Sequence, residues 1–265
     1  MPVVTAHALG TFSWPELGTI DQEAAKKFYT SLFGWQFKDT DMGPMGTYTI
    51  FTRDGVDVGA LYTLEPKMRE NGVPPFWGAY VTVDNADAAA ERAKANGGTV
   101  MGEPFDVMDH GRMAVIQDPQ GAMFCVWQAK QHIGVGVLGE PGSLGWVQLN
   151  AKDTAKAKAF YPAVTGWKVQ NDPMPDAMGG GEYTTWLKGD GPAGGMMAMP
   201  ANTPAPSHWL SYFAVTDVDA TTTKATSLGG QVFVPPTDIP ETGRFSVLAD
   251  GQGAMFALIK FTKPL

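Results

Sequence analysis

FYTSLFGW, residues 28–35, returns as FYPAVTGW at residues 160–167, an offset of 132. The same offset joins Trp77 to Trp209, Gly97-Gly98 to Gly229-Gly230, and Gly111-Arg112 to Gly243-Arg244. GAMF at 121–124 recurs at 253–256. Without gaps, 77–128 against 209–260 gives 20 identities in 52 positions, and 14–35 against 146–167 gives 9 in 22. Composition alone would give roughly one in sixteen. The chain is therefore a duplicated domain. Its halves are expected at residues 1–130 and 144–265, joined by a Gly- and Pro-containing linker at 131–143.

Each half reads as two copies of one plan. Residues 12–18 (FSWPELG) predict a strand. Asp21 is an N-cap candidate, and Ala24, Phe28 and Leu32 form one helical stripe ended by Gly34. Strand-like runs follow at 47–52 and 56–63, then the passage ENGVPP. The second unit has a strand at 78–83, a helix near 86–96 and a strand at 99–101. It closes with a hairpin at 112–117 and 122–127, turned by Asp118-Pro119-Gln120-Gly121. The expected fold is α+β. Four βαβββ modules curl mixed sheets into open cups, with helices outside.

Strand alternation then chooses the faces. One face takes Trp14 and Glu16, matched by Trp146 and Gln148. It also takes Tyr80, matched by Tyr212, and the group Met123, Cys125 and Trp127 on the closing strand. The other face takes Leu17, Val81, Val83, Phe124 and Val126, which suit a helical layer. A cup lined by Trp, Tyr and Met with a few polar groups suits an aromatic or amphipathic ligand. The alternative is a core packed by the same side chains. A carboxylate among them favours a ligand, because an unpaired buried charge costs several kcal/mol in effective terms.

WPELGTIDQEAAKKFYTSLFGW with DPQGAMFCVW resembles the vicinal oxygen chelate superfamily: glyoxalase I, extradiol dioxygenases, epimerases, and fosfomycin and bleomycin resistance proteins. More narrowly, it resembles a bacterial tandem glyoxalase-like group. The resemblance implies paired βαβββ modules. It also implies a divalent metal (Zn, Ni or Fe) held by His, Gln or Glu on the opening and closing strands. Those positions here carry Trp14 and Trp146, Gly78 and Leu210, and Cys125 and Ala257. A register two residues along would bring in Glu16 and Gln148, still without histidine. No metal or other cofactor is expected at the usual places.

Three functions follow. The first is a binding protein that stacks a small molecule on Trp14, Trp127, Trp146, Tyr80 or Tyr212, with Cys125 in the wall. Glu16 and Gln148 would orient the ligand, and His208 adjoins a cup strand. The second is a metal-independent isomerase or lyase with Glu16 as general base and Tyr80 or Arg112 steadying an enolate. The third is a metal-dependent glyoxalase-like lyase or oxygenase with ligands placed elsewhere. Arg112 and Arg244 each open a strand, and read either as anion clamps or as ion-pair partners of Asp106 and Asp238. The remaining histidines, His7, His110 and His132, read as solvated.

A formal net charge of −8, with no basic run, argues against nucleic acid and anionic membrane as partners. A single cysteine, Cys125, excludes an internal disulfide. It is expected as a small buried hydrophobe, with a reactive thiol as the alternative. The N-terminus lacks a basic start and continuous apolar stretch, so the expected compartment is the cytoplasm. The expected state is a monomer with internal pseudo-symmetry, or a homodimer.

Overall fold

The computed structural model describes residues 3–189 and 191–263. The first module comprises β1 (Phe12–Thr19), α1 (Gln22–Phe33), β2 (Gln36–Asp41), β3 (Thr47–Arg53) and β4 (Val56–Thr63). A short helix, α2 (Pro66–Glu70), leads to the second. That module holds β5 (Phe76–Thr82), α3 (Ala86–Ala95), β6 (Thr99–Val100), β7 (Phe105–Val107), β8 (Gly111–Gln117) and β9 (Met123–Ala129). The third has β10 (Leu144–Ala151), α4 (Thr154–Thr165), β11 (Lys168–Pro173), β12 (Glu182–Lys188) and β13 (Gly191–Ala198). The fourth has β14 (His208–Ala214), α5 (Val218–Ser227), β15 (Gln231–Ile239), β16 (Gly243–Ala249) and β17 (Met255–Phe261). Among the described residues no helix is long and apolar enough to cross a membrane.

The four longer helices start alike. Asp21, Asn85, Asp153 and Asp217 each accept a hydrogen bond from the amide three residues on, at 3.0, 2.8, 3.1 and 2.9 Å. Each cap satisfies a donor that the first helical turn leaves unpaired. Gly34 and Gly166 end α1 and α4 in the left-handed region, at φ 74° and 78°. β2 and α2 were not anticipated from the sequence. Every residue of β2 is exposed, so the strand lacks the apolar alternation that betrays its neighbours.

Modules pair in sequence order to make the cups. β1 runs parallel to β4 and antiparallel to β5, and β5 runs parallel to β9. One curled sheet therefore reads β2-β3-β4-β1-β5-β9-β8-β7, with β6 also on β8. The second half repeats it as β11-β12-β13-β10-β14-β17-β16-β15.

The helix-bearing faces pack across the duplication. One core joins Val81, Ile116, Phe124 and Val126 to Phe160, Tyr161, Trp167 and Trp209. The other joins Leu17, Phe28, Tyr29, Trp35 and Trp77 to Phe213, Phe256 and Leu258. Burying each large apolar side chain contributes roughly 1.5–3 kcal/mol. The helices thus lie outside each cup but between the two sheets, and the cup faces turn away from the shared cores.

The repeated motifs form the joint. Tyr29 donates to Asp250 at 3.0 Å and accepts from the Trp77 indole at 3.0 Å. Tyr161 donates to Asp118 at 3.0 Å and accepts from Trp209 at 3.0 Å. Gln252 accepts from the Asp21 amide at 2.7 Å, and Gln120 from the Asp153 amide at 2.6 Å. The closing turn of each half therefore holds the first helix of the other.

Candidate functional site

The first cup centres on Glu16 of β1. Its neighbours across the sheet are Ala60 on β4 and Gly78 on β5, the two smallest side chains available beside the carboxylate. Register sets Tyr80 opposite Trp14, then Cys125 beside Tyr80 and Trp127 beside Thr82. Trp14, Tyr80, Met113 and Trp127 are buried together, with Tyr48, Ile50, Val115 and Cys125 packed against them.

Two tyrosines clamp the carboxylate. Tyr48 donates to Oε1 at 2.6 Å and Tyr80 to Oε2 at 2.5 Å. Trp14 Nε1 in turn donates to the Tyr48 oxygen at 3.3 Å. Burial is the leading influence on Glu16 and pushes its pKa up, while Tyr48, Tyr80, Trp14 and the His132 ring pull it back. Burial beside that acid also drives the Tyr48 and Tyr80 phenols well above their usual range. The Cys125 thiol, next to Tyr80, is raised by burial and by Glu16, so it stays a thiol rather than a nucleophilic thiolate. The arrangement is an acceptor with two donors already in place, set in an aromatic wall.

The second cup keeps the frame and changes the acid. Trp146 donates to Tyr183 at 2.9 Å, and Tyr183 donates to Gln148 Oε1 at 3.1 Å. The line continues from Gln148 Nε2 to Asn150 Oδ1 at 3.0 Å, and from Asn150 Nδ2 to His208 Nε2 at 3.1 Å. His208 Nδ1 lies 2.9 Å from the Pro206 carbonyl. Tyr212 is buried among Leu210, Val247 and Ile259, where burial raises its phenol. The Tyr183 phenol is pushed up to about 12, again by burial. Gly195 makes room for Tyr183: a Cβ there would sit 2.0 Å from its hydroxyl.

For Arg112 and Arg244 the ion-pair alternative holds, whereas His7 and His132 stand differently from the solvated reading; His7 is half-buried, with Nε2 2.8 Å from the Val135 carbonyl. Arg112 does not reach Glu16. It alternates with the cup-facing Met113, and its guanidinium pairs with Asp87 of α3 at 2.6 and 2.7 Å, with Asp106 at 3.6 Å. Arg244 does the same with Asp219 and Asp238. The pairs sit on the helix-bearing side, so Arg112 is removed from the candidate catalytic group. His132 is not a solvated linker histidine. Its ring meets Trp14 edge-on, centroids 4.5 Å apart, and its carbonyl accepts from Trp127 Nε1 at 2.8 Å. Val135, three residues on, is fully buried in the same cluster.

Tyr48, Tyr183 and His132 are the site residues that the sequence reading missed. The tyrosines sit in GTYT at 46–49 and GEYT at 181–184, an offset of 135. Extra loop residues moved them out of the repeat. For His132 the signal was composition, since IGVGVL is too apolar for a linker that merely spans solvent.

The donor set does not fit a divalent metal. Among the described residues no three His, Cys, Asp or Glu side chains converge, and a catalytic site normally takes about three protein ligands. Glu16 is one carboxylate whose oxygens are both engaged by phenols.

The sequence profile of the Glyoxalase/Bleomycin resistance protein/Dioxygenase superfamily matches residues 11–126 and 143–258. A Mycobacterium bovis protein named "Putative glyoxylase CFP32" is 44% identical over 98% of each chain. "Anthracycline biosynthesis protein DnrV" of Streptomyces peucetius is 37% identical, over 97% of this chain and 95% of its own. The Mn(II)-bound glyoxalase of Novosphingobium aromaticivorans shares the fold at TM-score 0.66 and 17% identity. That match covers 97% of this chain and 84% of the other. By its tandem modules and by these matches, the chain belongs to the Glyoxalase/Bleomycin resistance protein/Dioxygenase superfamily.

Proposed function

We propose that the first cup binds a small, flat aromatic molecule and that Glu16 orients it by accepting a hydrogen bond from a phenol or enol. The observation that carries this is the carboxylate itself, raised in pKa by burial and pinned between Tyr48 and Tyr80 in an aromatic wall. A fold gains little from such a group unless something uses it. The relative named for anthracycline biosynthesis works, by that name, among flat polycyclic molecules, and this is the ligand class proposed here.

The test is a titration with 1,8-dihydroxyanthraquinone, following quenching of tryptophan fluorescence. A hydrogen bond to a charged acceptor is worth about 1.5–3 kcal/mol, so Glu16→Gln should weaken binding roughly 10- to 150-fold. Equal affinity in the two proteins overturns the assignment.

One observation favours a catalytic reading beside this one. A carboxyl whose pKa is raised by burial is suited to proton abstraction near neutral pH, and the Tyr48 and Tyr80 donors adjoin it. Glu16 would then be the general base of a metal-independent isomerase or lyase. Deuterium wash-in at the benzylic carbon of phenylacetone, read by NMR, should be accelerated by the protein and not by Glu16→Gln. No acceleration by the intact protein leaves binding alone.

A further inference from the structure

The linker adds a group to the first cup that neither the repeat nor the proposed role of Glu16 uses. His132 Nε2 is buried and has no hydrogen-bond partner among the described residues. It lies 3.6 Å from Asp57 Oδ2, too far for a hydrogen bond but close enough for one small group to touch both. The two line a cleft of about 360 Å³ with Val56, Gln131, Ile133 and Gly134. A buried ring nitrogen without a partner costs free energy, which a bound polar group recovers.

The cleft shares no lining residue with the cup cluster, but the His132 ring borders the cup wall at Trp14. Trp14 donates to Tyr48 on the Glu16 side and meets the His132 ring on the other. The backbone fixes the histidine. The Val135 amide donates to the Ser13 carbonyl at 2.8 Å and the Gly136 amide to the Asp57 carbonyl at 2.9 Å, while Trp127 holds the His132 carbonyl. The titratable groups around the ring are Asp57, Glu16, His7 and His110. The cleft lining itself contains one carboxylate and one imidazole, with no Lys or Arg. That lining disfavours an anion. A hydroxyl suits it, because it can donate to Asp57 while exchanging its second hydrogen bond with His132.

We propose that His132 and Asp57 form a polar subsite at the end of the first cup, which binds a hydroxyl group carried by the aromatic ligand held over Glu16. This rests on the proposed role of the first cup. Both residues are specificity-determining by this reading, and neither is catalytic.

A matched pair of molecules tests it. 1,8-Dihydroxy-3-(hydroxymethyl)anthraquinone and 1,8-dihydroxy-3-methylanthraquinone differ by one hydroxyl. The hydroxymethyl compound should bind the intact protein about tenfold more tightly. The preference should vanish in His132→Phe, which keeps the edge contact with Trp14, and in Asp57→Asn. His132→Gln, with an amide nitrogen near the place of Nε2, should restore part of it. The His132 ring resonances should move on binding the hydroxymethyl compound and stay put with the methyl one. Equal affinities in the intact protein, or a preference that survives both variants, overturn the subsite alone. If neither compound binds, the Glu16 reading falls and the subsite falls with it.

Discussion

Replacing Tyr29 by Phe tests the joint that holds both cups in place. The hydroxyl donates to Asp250 and accepts from Trp77, each at 3.0 Å, and all three residues are buried. Phe fills the same ring volume, so cavity and contact terms nearly cancel. The Trp77 N–H is left buried without a partner, which costs about 1–3 kcal/mol. Asp250 Oδ2 loses a donor, while Oδ1 keeps the Gln252 and Ala254 amides; this adds about 1 kcal/mol. The sum is about 2–4 kcal/mol out of a total of about 5–15 kcal/mol. At about 2–4 °C per kcal/mol for chains of this size, the midpoint should fall by about 5–15 °C. Scanning calorimetry and urea unfolding followed by circular dichroism would measure both. Tyr161→Phe should match it, and the two should add, since they share no partner. Unfolding should stay one transition, because each half's turn grips the other's helix. A loss below about 0.5 kcal/mol would refute the joint as an energetic element, given what an unpaired buried donor costs. Two separable transitions in the unaltered protein would refute the coupling of the halves.

Glu16 also sets a pH slope. Its folded pKa lies above the ordinary 4.5, so the folded chain binds that proton more tightly than the unfolded chain. The stabilisation is full below 4.5 and is lost as pH rises through the folded value. Glu16→Gln mimics the protonated form. Stability of the unaltered protein relative to Glu16→Gln should therefore fall as pH climbs from 4.5 towards neutrality. Urea midpoints at three pH values check this, and a flat or rising difference counts against it. In the second cup, Gly195→Ala would place a methyl 2.0 Å from the Tyr183 hydroxyl and push Tyr183 off Gln148. The expected cost is about 1–3 kcal/mol with altered Trp146 fluorescence, and an unchanged spectrum and midpoint would contradict the geometry.

What could be read from the sequence was whatever repeats or alternates. The 132-residue offset exposed the modules because Tyr29, Trp35, Asp118 and their counterparts answer to one geometry twice. Period-2 patterns put Trp14, Glu16, Tyr80, Cys125 and Trp127 on one face, where the structure has them. The misses are of another kind. Arg112 also pairs with Asp87 on α3, a strand-to-helix contact that strand alternation alone does not find, although Asp87 and Asp219 share the 132 offset. Tyr48 and Tyr183 slipped out of register through loop length. The exchange of turns between halves is a tertiary fact, since each motif looks self-contained until Asp118 is seen beside Tyr161.

That exchange also accounts for where the two halves differ. Tyr29 and Tyr161, Trp35 and Trp167, Trp77 and Trp209, Asp118 and Asp250, and Gln120 and Gln252 are all identical pairs. The tyrosines, aspartates and glutamines of the joint each serve a partner in the opposite half, and Trp77 and Trp209 brace the tyrosine of their own, so changing a tyrosine or an aspartate strands a buried donor or carboxylate elsewhere. Cup-facing residues carry no such debt. At equivalent positions Glu16 stands against Gln148, Cys125 against Ala257 and Trp127 against Ile259. The register pair Gly18 and Phe76 becomes the hydrogen-bonded pair Asn150 and His208. A new polar pair, with each partner satisfied by the other, is not what loss of constraint produces. The scaffold is held by mutual burial while its two open faces are free to differ in charge. One cup offers an acid held by two phenols, and the other a neutral line of amides ending on an imidazole.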